Sequence, residues 1–234
     1  MRVVVTRPEP DAARTARRLA ALGYTPVVAP LFEAVATSSA PAGDGWAAVV
    51  ATSARAFLAG AADPAALSSP LFAVGERTAS AARAAGFRDV RAAGGTALAL
   101  SQLLARELPA GARVLYLAGT VRKPELEARL AAAGLRVTVR ETYAMRRVSA
   151  LPAAFAELLR SGAPALVLHY SRRGAETALD LAARAGLQDA LAALAHRALS
   201  ADVAEPLQRA GASDVVVAVA PDEDSLFATL PPCG

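Results

Sequence analysis

Residues 3–5 are three valines in a row, followed by the polar turn Thr6-Arg7-Pro8-Glu9 and then by apolar positions Ala12, Ala16, Leu19 and Ala20 at helical spacing. The pattern predicts a strand, a turn and a helix, with a proline near the helix start and Gly23 just past its end. The same order returns in the second half. An apolar run over 114–117 leads to a turn holding Arg122, Lys123, Pro124 and Glu125; Leu126 and Leu130 share one helix face, and Gly134 closes the helix. Two matches at this level argue for an internal duplication.

The correspondence continues along both halves. Each copy is followed by a predicted strand, over 26–29 and 137–139, and then by an extended stretch, LFEAVATS or ETYAMRRVS, that reads as a connector. AAVVATSARAFLAG is matched by ALVLHYSRRGAETAL, both an apolar strand ending in small or hydroxyl residues ahead of a helix. LFAVGERTASAARAAGFRDV is matched by HRALSADVAEPLQRAGASDVVVA, and each half ends in a last helix, over 96–106 and 222–229.

Strands alternating with helices predict parallel sheets covered on both faces, and such sheets bind ligands outside the carboxyl ends of their strands. The strand-to-helix turns all belong to that edge. The chain therefore reads as two similar α/β lobes facing each other across a cleft that serves as the active site. Proline-containing stretches at 38–43 and 149–152, each just after a connector, are the candidate boundaries.

Composition narrows the chemistry. Of 234 residues 54% are hydrophobic, which supplies a real core, and the surplus of 25 Lys and Arg over 21 Asp and Glu favours anionic ligands in general. No run of basic residues with interleaved aromatics marks a nucleic-acid surface, and no apolar run approaches a membrane span. The three valines at the N-terminus are too short for a signal-peptide core, so the expectation is a soluble cytoplasmic protein. The single cysteine, Cys233, leaves no intrachain disulfide and no cysteine-based metal cluster.

Familiar reaction signatures fail. GDGWAA, at 43–48, fits a dinucleotide pattern in letters only, because it precedes a strand instead of following one. Neither a phosphate loop nor a zinc-binding or nucleophile-elbow motif is present, which leaves cofactor-free and metal-free chemistry as the leading idea. What remains is a set of turns whose backbone N–H groups and helix dipoles can hold anions: Thr6-Arg7, Thr52-Ser53-Ala54, Gly75 through Thr78, Gly119 through Arg122 and Lys123, Ser171-Arg172-Arg173, and Ser200-Ala201. Taken singly, a Ser or Thr before a helix is an ordinary N-cap.

Tyr143 lies in a connector, where a phenol can reach a cleft and donate a proton, or simply pack. His169 and His196, at or before apolar strands, read as acid–base candidates or as hydrogen-bonded core imidazoles. Glu33, Glu76 and Asp202 form no carboxylate pair by spacing.

The segments VVVTRPEP, VVATSARAF, AVGERTASAARAAGF, VLYLAGTVRKPELEARLAAAG, ETYAMRRV, VLHYSRRGA and ALSADVAEPLQRAG, in this order and spacing, resemble the uroporphyrinogen-III synthase family nearly end to end. The resemblance implies two flavodoxin-like parallel-sheet lobes joined by a two-stranded linker. One lobe comprises 1–34 with 149–234, the other 40–140, and the ladder 35–39 with 141–148. It implies a cofactor-free hydro-lyase that cyclises hydroxymethylbilane with inversion of the last pyrrole ring and loss of water.

On that resemblance Tyr143 is the proton donor, and Arg7, Thr52, Ser53, Gly75, Thr78, Gly119, Arg122, Ser171, Arg172 and Ser200 bind the substrate's carboxylates. A monomer with movement between lobes is expected. Arg55, Ser200 and Val203 depart from the family pattern, where an amide, a glycine and a threonine are common; Val203 removes a hydroxyl for which Arg172 and Arg173 would compensate. The alternative is a two-lobed protein that closes on an anionic small molecule without reaction. A nucleotide-using enzyme is disfavoured by the missing phosphate loop.

Overall fold

The computed structural model describes residues 1–37, 43, 45–58 and 64–232. Cys233, most of the 38–43 stretch and Asp44 of GDGWAA lie outside the described residues. The chain divides into two compact units, Met1–Glu33 with Arg146–Gly234, and Ala34–Met145.

The first unit is built on a five-stranded sheet of order β11-β10-β9-β1-β2, parallel throughout. Its strands are β1 (Arg2–Val5), β2 (Thr25–Val28), β9 (Ala165–His169), β10 (Ala195–Ala198) and β11 (Asp214–Val217). Val3, Val4 and Val5 are all buried because β1 is central and covered on both faces, which is why it reads as an unbroken apolar run.

Helix α1 (Asp11–Ala21) buries Asp11, Ala12, Thr15 and Leu19. Of the four positions that the apolar spacing selects, Ala12 and Leu19 are buried, while Ala16 is half-buried and Ala20 exposed. The helix is turned so that the Thr15 hydroxyl can donate to Glu223, 2.5 Å away, a demand that alanine cannot express. Helices α7 (Arg172–Arg184), α9 (Ala201–Arg209) and α10 (Glu223–Phe227) fall where the pattern predicts. The pattern does not announce α6 (Ala153–Ser161), ended by left-handed Gly162 at φ 62°, or the short α8 (Gln188–Ala192).

The second sheet has the order β3-β8-β7-β4-β5-β6. These strands are β3 (Phe32–Ala36), β4 (Ala48–Ala51), β5 (Leu71–Ala73), β6 (Val90–Ala92), β7 (Arg113–Gly119) and β8 (Arg136–Arg147). The predicted strand at 137–139 and the connector ETYAMRRVS are thus largely one continuous strand. On its side away from β7 it gains β3 as a partner, and just past β3 the Thr37 backbone N–H donates to the Thr142 carbonyl at 3.0 Å and the Thr37 hydroxyl to the Glu141 carbonyl.

Alternation along the central strands feeds two cores. Val49, Ala51, Leu115 and Leu117 point to the side of α3 (Glu76–Ala84), while Val50, Val114, Tyr116 and Ala118 point to the side of α4 (Ala97–Glu107) and α5 (Glu125–Ala132). The helix expected after Thr52-Ser53 is a single 3₁₀ turn over Ala54–Phe57, and a short α2 (Pro64–Leu67) follows further on.

In the first sheet, strands numbered as the chain meets them lie in the order 2-1-3-4-5. In the second, β8-β7-β4-β5-β6 follow the same spatial series, but the pair β7 and β8, the counterpart of β1 and β2, comes last in the chain. The two units are circular permutations of one layout. The point where strand order reverses, at which such sheets bind ligands, lies between β1 and β9 in one unit and between β7 and β4 in the other.

Candidate active site

At the β7/β4 switch point, Thr52 leaves β4 with its Oγ1 3.0 Å from the Tyr116 hydroxyl. Ser53 is an extended N-cap whose side chain accepts from the Arg55 backbone N–H. Gly119 ends β7 opposite Tyr143 of β8, where the register slips by one residue. The Tyr143 ring lies against Gly119 so closely that a Cβ there would sit 2.8 Å from Cζ and 3.0 Å from the hydroxyl oxygen. Thr52, Tyr116, Gly119 and Tyr143 are therefore brought together by two adjacent strand pairs.

Arg122 reaches back to this edge but is already paired. It donates to Glu127 at 2.7 Å and Glu141 at 3.0 Å, and these partners raise the affinity of its guanidinium for its proton. Gly75, the N-cap of α3, is extended and makes no side-chain cap bond. Thr78 sits on the buried face of α3 with Ala79 and Ala82, its backbone N–H on the Gly75 carbonyl, so its side chain belongs to the packing of the helix.

At the β1/β9 switch point, Thr6 donates to the Leu168 carbonyl at 2.8 Å. Arg7 lies over the Tyr170 ring, 4.4 Å from its centroid, and pairs with Glu223 at 2.9 Å. Glu223 also accepts from Thr15, Arg18 and Tyr170. Burial works to raise its pKa, but the hydrogen bonds from Thr15, Arg18 and Tyr170 and the charge of Arg7 prevail and hold it below the usual carboxylate range. Burial pushes the Tyr170 phenol well above its ordinary value, so it is a neutral donor.

Ser171 caps α7 and accepts from the Gly174 backbone N–H at 3.0 Å. Arg172 is bound by Glu176 and Asp202, each at 3.0 Å, and by Glu205. Arg173 stacks on Phe32 at 4.5 Å. Ser200 is the N-cap of α9 with no side-chain cap bond, and Val203 is buried in the turn that follows. Glu33 pairs with Arg146 and Glu76 with Arg83, both as surface ion pairs.

His169 and His196 are fully buried against each other, Nε2 to Nδ1 at 3.0 Å. His196 Nε2 faces the Leu191 carbonyl at 3.0 Å, which can only accept, so His196 carries its proton there and receives one from His169 Nε2. The neutral His169 Nδ1 then has a lone pair with no partner, sealed from water. Burial lowers both pKa values, and the pair is a core contact beneath the edge.

The family model described as uroporphyrinogen-III synthase HemD matches residues 13–228. The chain belongs to the uroporphyrinogen-III synthase family. The activity of this family is the cofactor-free, lyase-type closure of hydroxymethylbilane, and the match favours it over a binding protein without catalysis. A uroporphyrinogen-III synthetase from Helicobacter pylori shares the fold, with a TM-score of 0.59 at 16% identity over 97% of each chain. A mutant uroporphyrinogen III synthase from the extremely thermophilic bacterium Thermus thermophilus aligns at 20% identity over 97% of this chain and 96% of that one, with a TM-score of 0.47. No curated protein matches the chain significantly.

Within this member of the family, three residues of the edges escape sequence reasoning: Tyr116, Tyr170 and Glu223. Tyr116 reads as one more apolar position of VLYLAG, Tyr170 as a strand end and Glu223 as a helix start. The register of β7 against β4, Val50 with Tyr116 and Thr52 two residues further on, is what joins Tyr116 to Thr52, and that pairing is tertiary.

Proposed function

We propose that this chain holds hydroxymethylbilane by the carboxyl edges of both sheets, in a cleft between two lobes, with Tyr143 donating a proton to the departing hydroxyl. The match over residues 13–228 carries the reaction itself. The closeness of Tyr143 to Gly119 and to Tyr116, which in turn bonds Thr52, supports the placement of the chemistry.

The hydroxymethyl C–O bond breaks with its electron pair on oxygen, and the Tyr143 proton makes the leaving group water. The cationic azafulvene left behind is attacked by the substituted carbon of the last ring, giving a spiro intermediate. That intermediate fragments and recloses in the inverted sense, and the ring proton lost at the end restores the phenol. A positioned acid contributes roughly a hundredfold or more, and holding the two ends of the bilane together contributes several kcal/mol, about 7 or more in well-oriented cases.

The substrate's acetate and propionate groups meet backbone N–H groups at the starts of α3, α7 and α9, at Gly75, Ser171 and Ser200, together with the hydroxyls of Thr52 and Ser53. Arg7, Arg122 and Arg172 each hold carboxylates of the protein, so they join the substrate by exchanging partners. Incubation with freshly prepared hydroxymethylbilane tests the reading: type III product in excess over the spontaneous type I isomer is expected. Binding with type I product alone returns the protein to the non-catalytic alternative.

A further inference from the structure

Tyr116 has no role in the scheme above, yet its phenol makes the hydrogen bond that holds Thr52. Its ring is rooted in the apolar cluster of Val50, Phe72, Leu100 and Leu126, and the residue is only 3% exposed. Its hydroxyl oxygen lies 3.0 Å from Oγ1 of Thr52, the residue that follows β4 at the carboxyl edge. Val50 and Tyr116 are registered partners, so Thr52, two residues beyond Val50, presents its side chain on the same face.

The direction of this hydrogen bond decides what Thr52 can do. A phenol is the more acidic O–H of the two, and Tyr116 is kept neutral because burial raises its pKa. With Tyr116 donating, Thr52 Oγ1 accepts, and the threonine's own proton is left to point away from the core. A hydroxyl with one lone pair engaged and its proton turned outward is matched to an anion, such as a carboxylate at the edge.

We infer that Tyr116 is a positioning residue which fixes the Thr52 rotamer and aims its hydroxyl proton at a carboxylate of the bilane. This rests on reading the β7/β4 edge as part of the substrate site. Tyr116 touches no substrate itself; it acts through Thr52.

The test is a mutant cycle on hydroxymethylbilane turnover. Tyr116→Phe raises KM about fivefold to tenfold with kcat within about twofold of wild type, as loss of one neutral hydrogen bond, that between the phenol and Thr52, implies. Thr52→Val raises KM by a similar factor, and Tyr116→Phe adds nothing further in that background. Thr52→Ser raises KM clearly less than Thr52→Val does, because the phenol still holds a hydroxyl at that position.

Three outcomes overturn the inference: a lowered melting temperature in Tyr116→Phe with unchanged KM, KM effects that multiply in the double variant, or Thr52→Ser behaving like Thr52→Val. The last needs no change at Tyr116 and decides the matter even if Tyr116→Phe fails to fold. A wild-type protein that makes type III product while the cycle fails removes this inference alone. A wild type that makes only type I product removes the functional reading beneath it as well.

Discussion

The ring of Tyr143 occupies the space that a side chain at Gly119 would need, with an ideal Cβ only 2.8 Å from Cζ. The glycine serves close approach between two strands here, where the register slips and β8 runs on past β7. Gly119→Ala displaces the phenol, because its methyl would meet Cζ, Cε2 and the hydroxyl of the ring at once. Turnover is expected to fall about as far as in a Tyr143 variant, with a stability loss of about 1–3 kcal/mol from overpacking. Steady-state kinetics beside a denaturant titration check it, and wild-type kcat in Gly119→Ala contradicts the placement of Tyr143 in the chemistry.

Tyr143→Phe removes the proposed acid and leaves the packing against Gly119 in place. A decrease in kcat of about tenfold or more is expected, with an unchanged melting temperature. Full activity in this variant returns Tyr143 to a purely packing role.

Glu223 gathers Arg7, Thr15, Arg18 and Tyr170 on one carboxylate. Glu223→Gln leaves two arginines without their shared partner and is expected to destabilise the protein by about 1.5–3 kcal/mol. Because the folded pKa of Glu223 is held below its ordinary value, its contribution is present above the usual carboxylate range and is lost as pH falls through the folded value. Chemical denaturation across the acid range should show a shallower acid loss in Glu223→Gln than in wild type; parallel curves would remove the carboxylate from this account.

The buried histidine pair acts in the same direction over a higher window. Both imidazoles have lowered pKa values in the folded protein, burial being the largest cause in each, so the unfolded chain binds protons that the folded one refuses. Stability is fully present above the ordinary histidine pKa, about 6.5, and declines as pH falls below it. Unfolding midpoints that do not move between about pH 7.5 and 5.5 would count against a neutral pair.

The internal repeat, the alternation of strand and helix, and the turns that carry Thr52, Ser171 and Ser200 were legible in the chain, because apolar period and N-cap chemistry are local properties that neighbours within a turn or a strand decide. The circular permutation of the two sheets was not legible in the apolar period, since the same repeat is compatible with a plain tandem of halves; the family resemblance alone implied a discontinuous lobe, and strand pairing shows that β7 lies beside β4. Nor could residue types say that Arg7 and Arg172 are held by the protein's own carboxylates, or that Tyr116 holds Thr52. Those partners lie 216, 30 and 64 residues apart. The period of a helix or strand fixes which face a side chain takes, and the packing of distant strands chooses what it meets there.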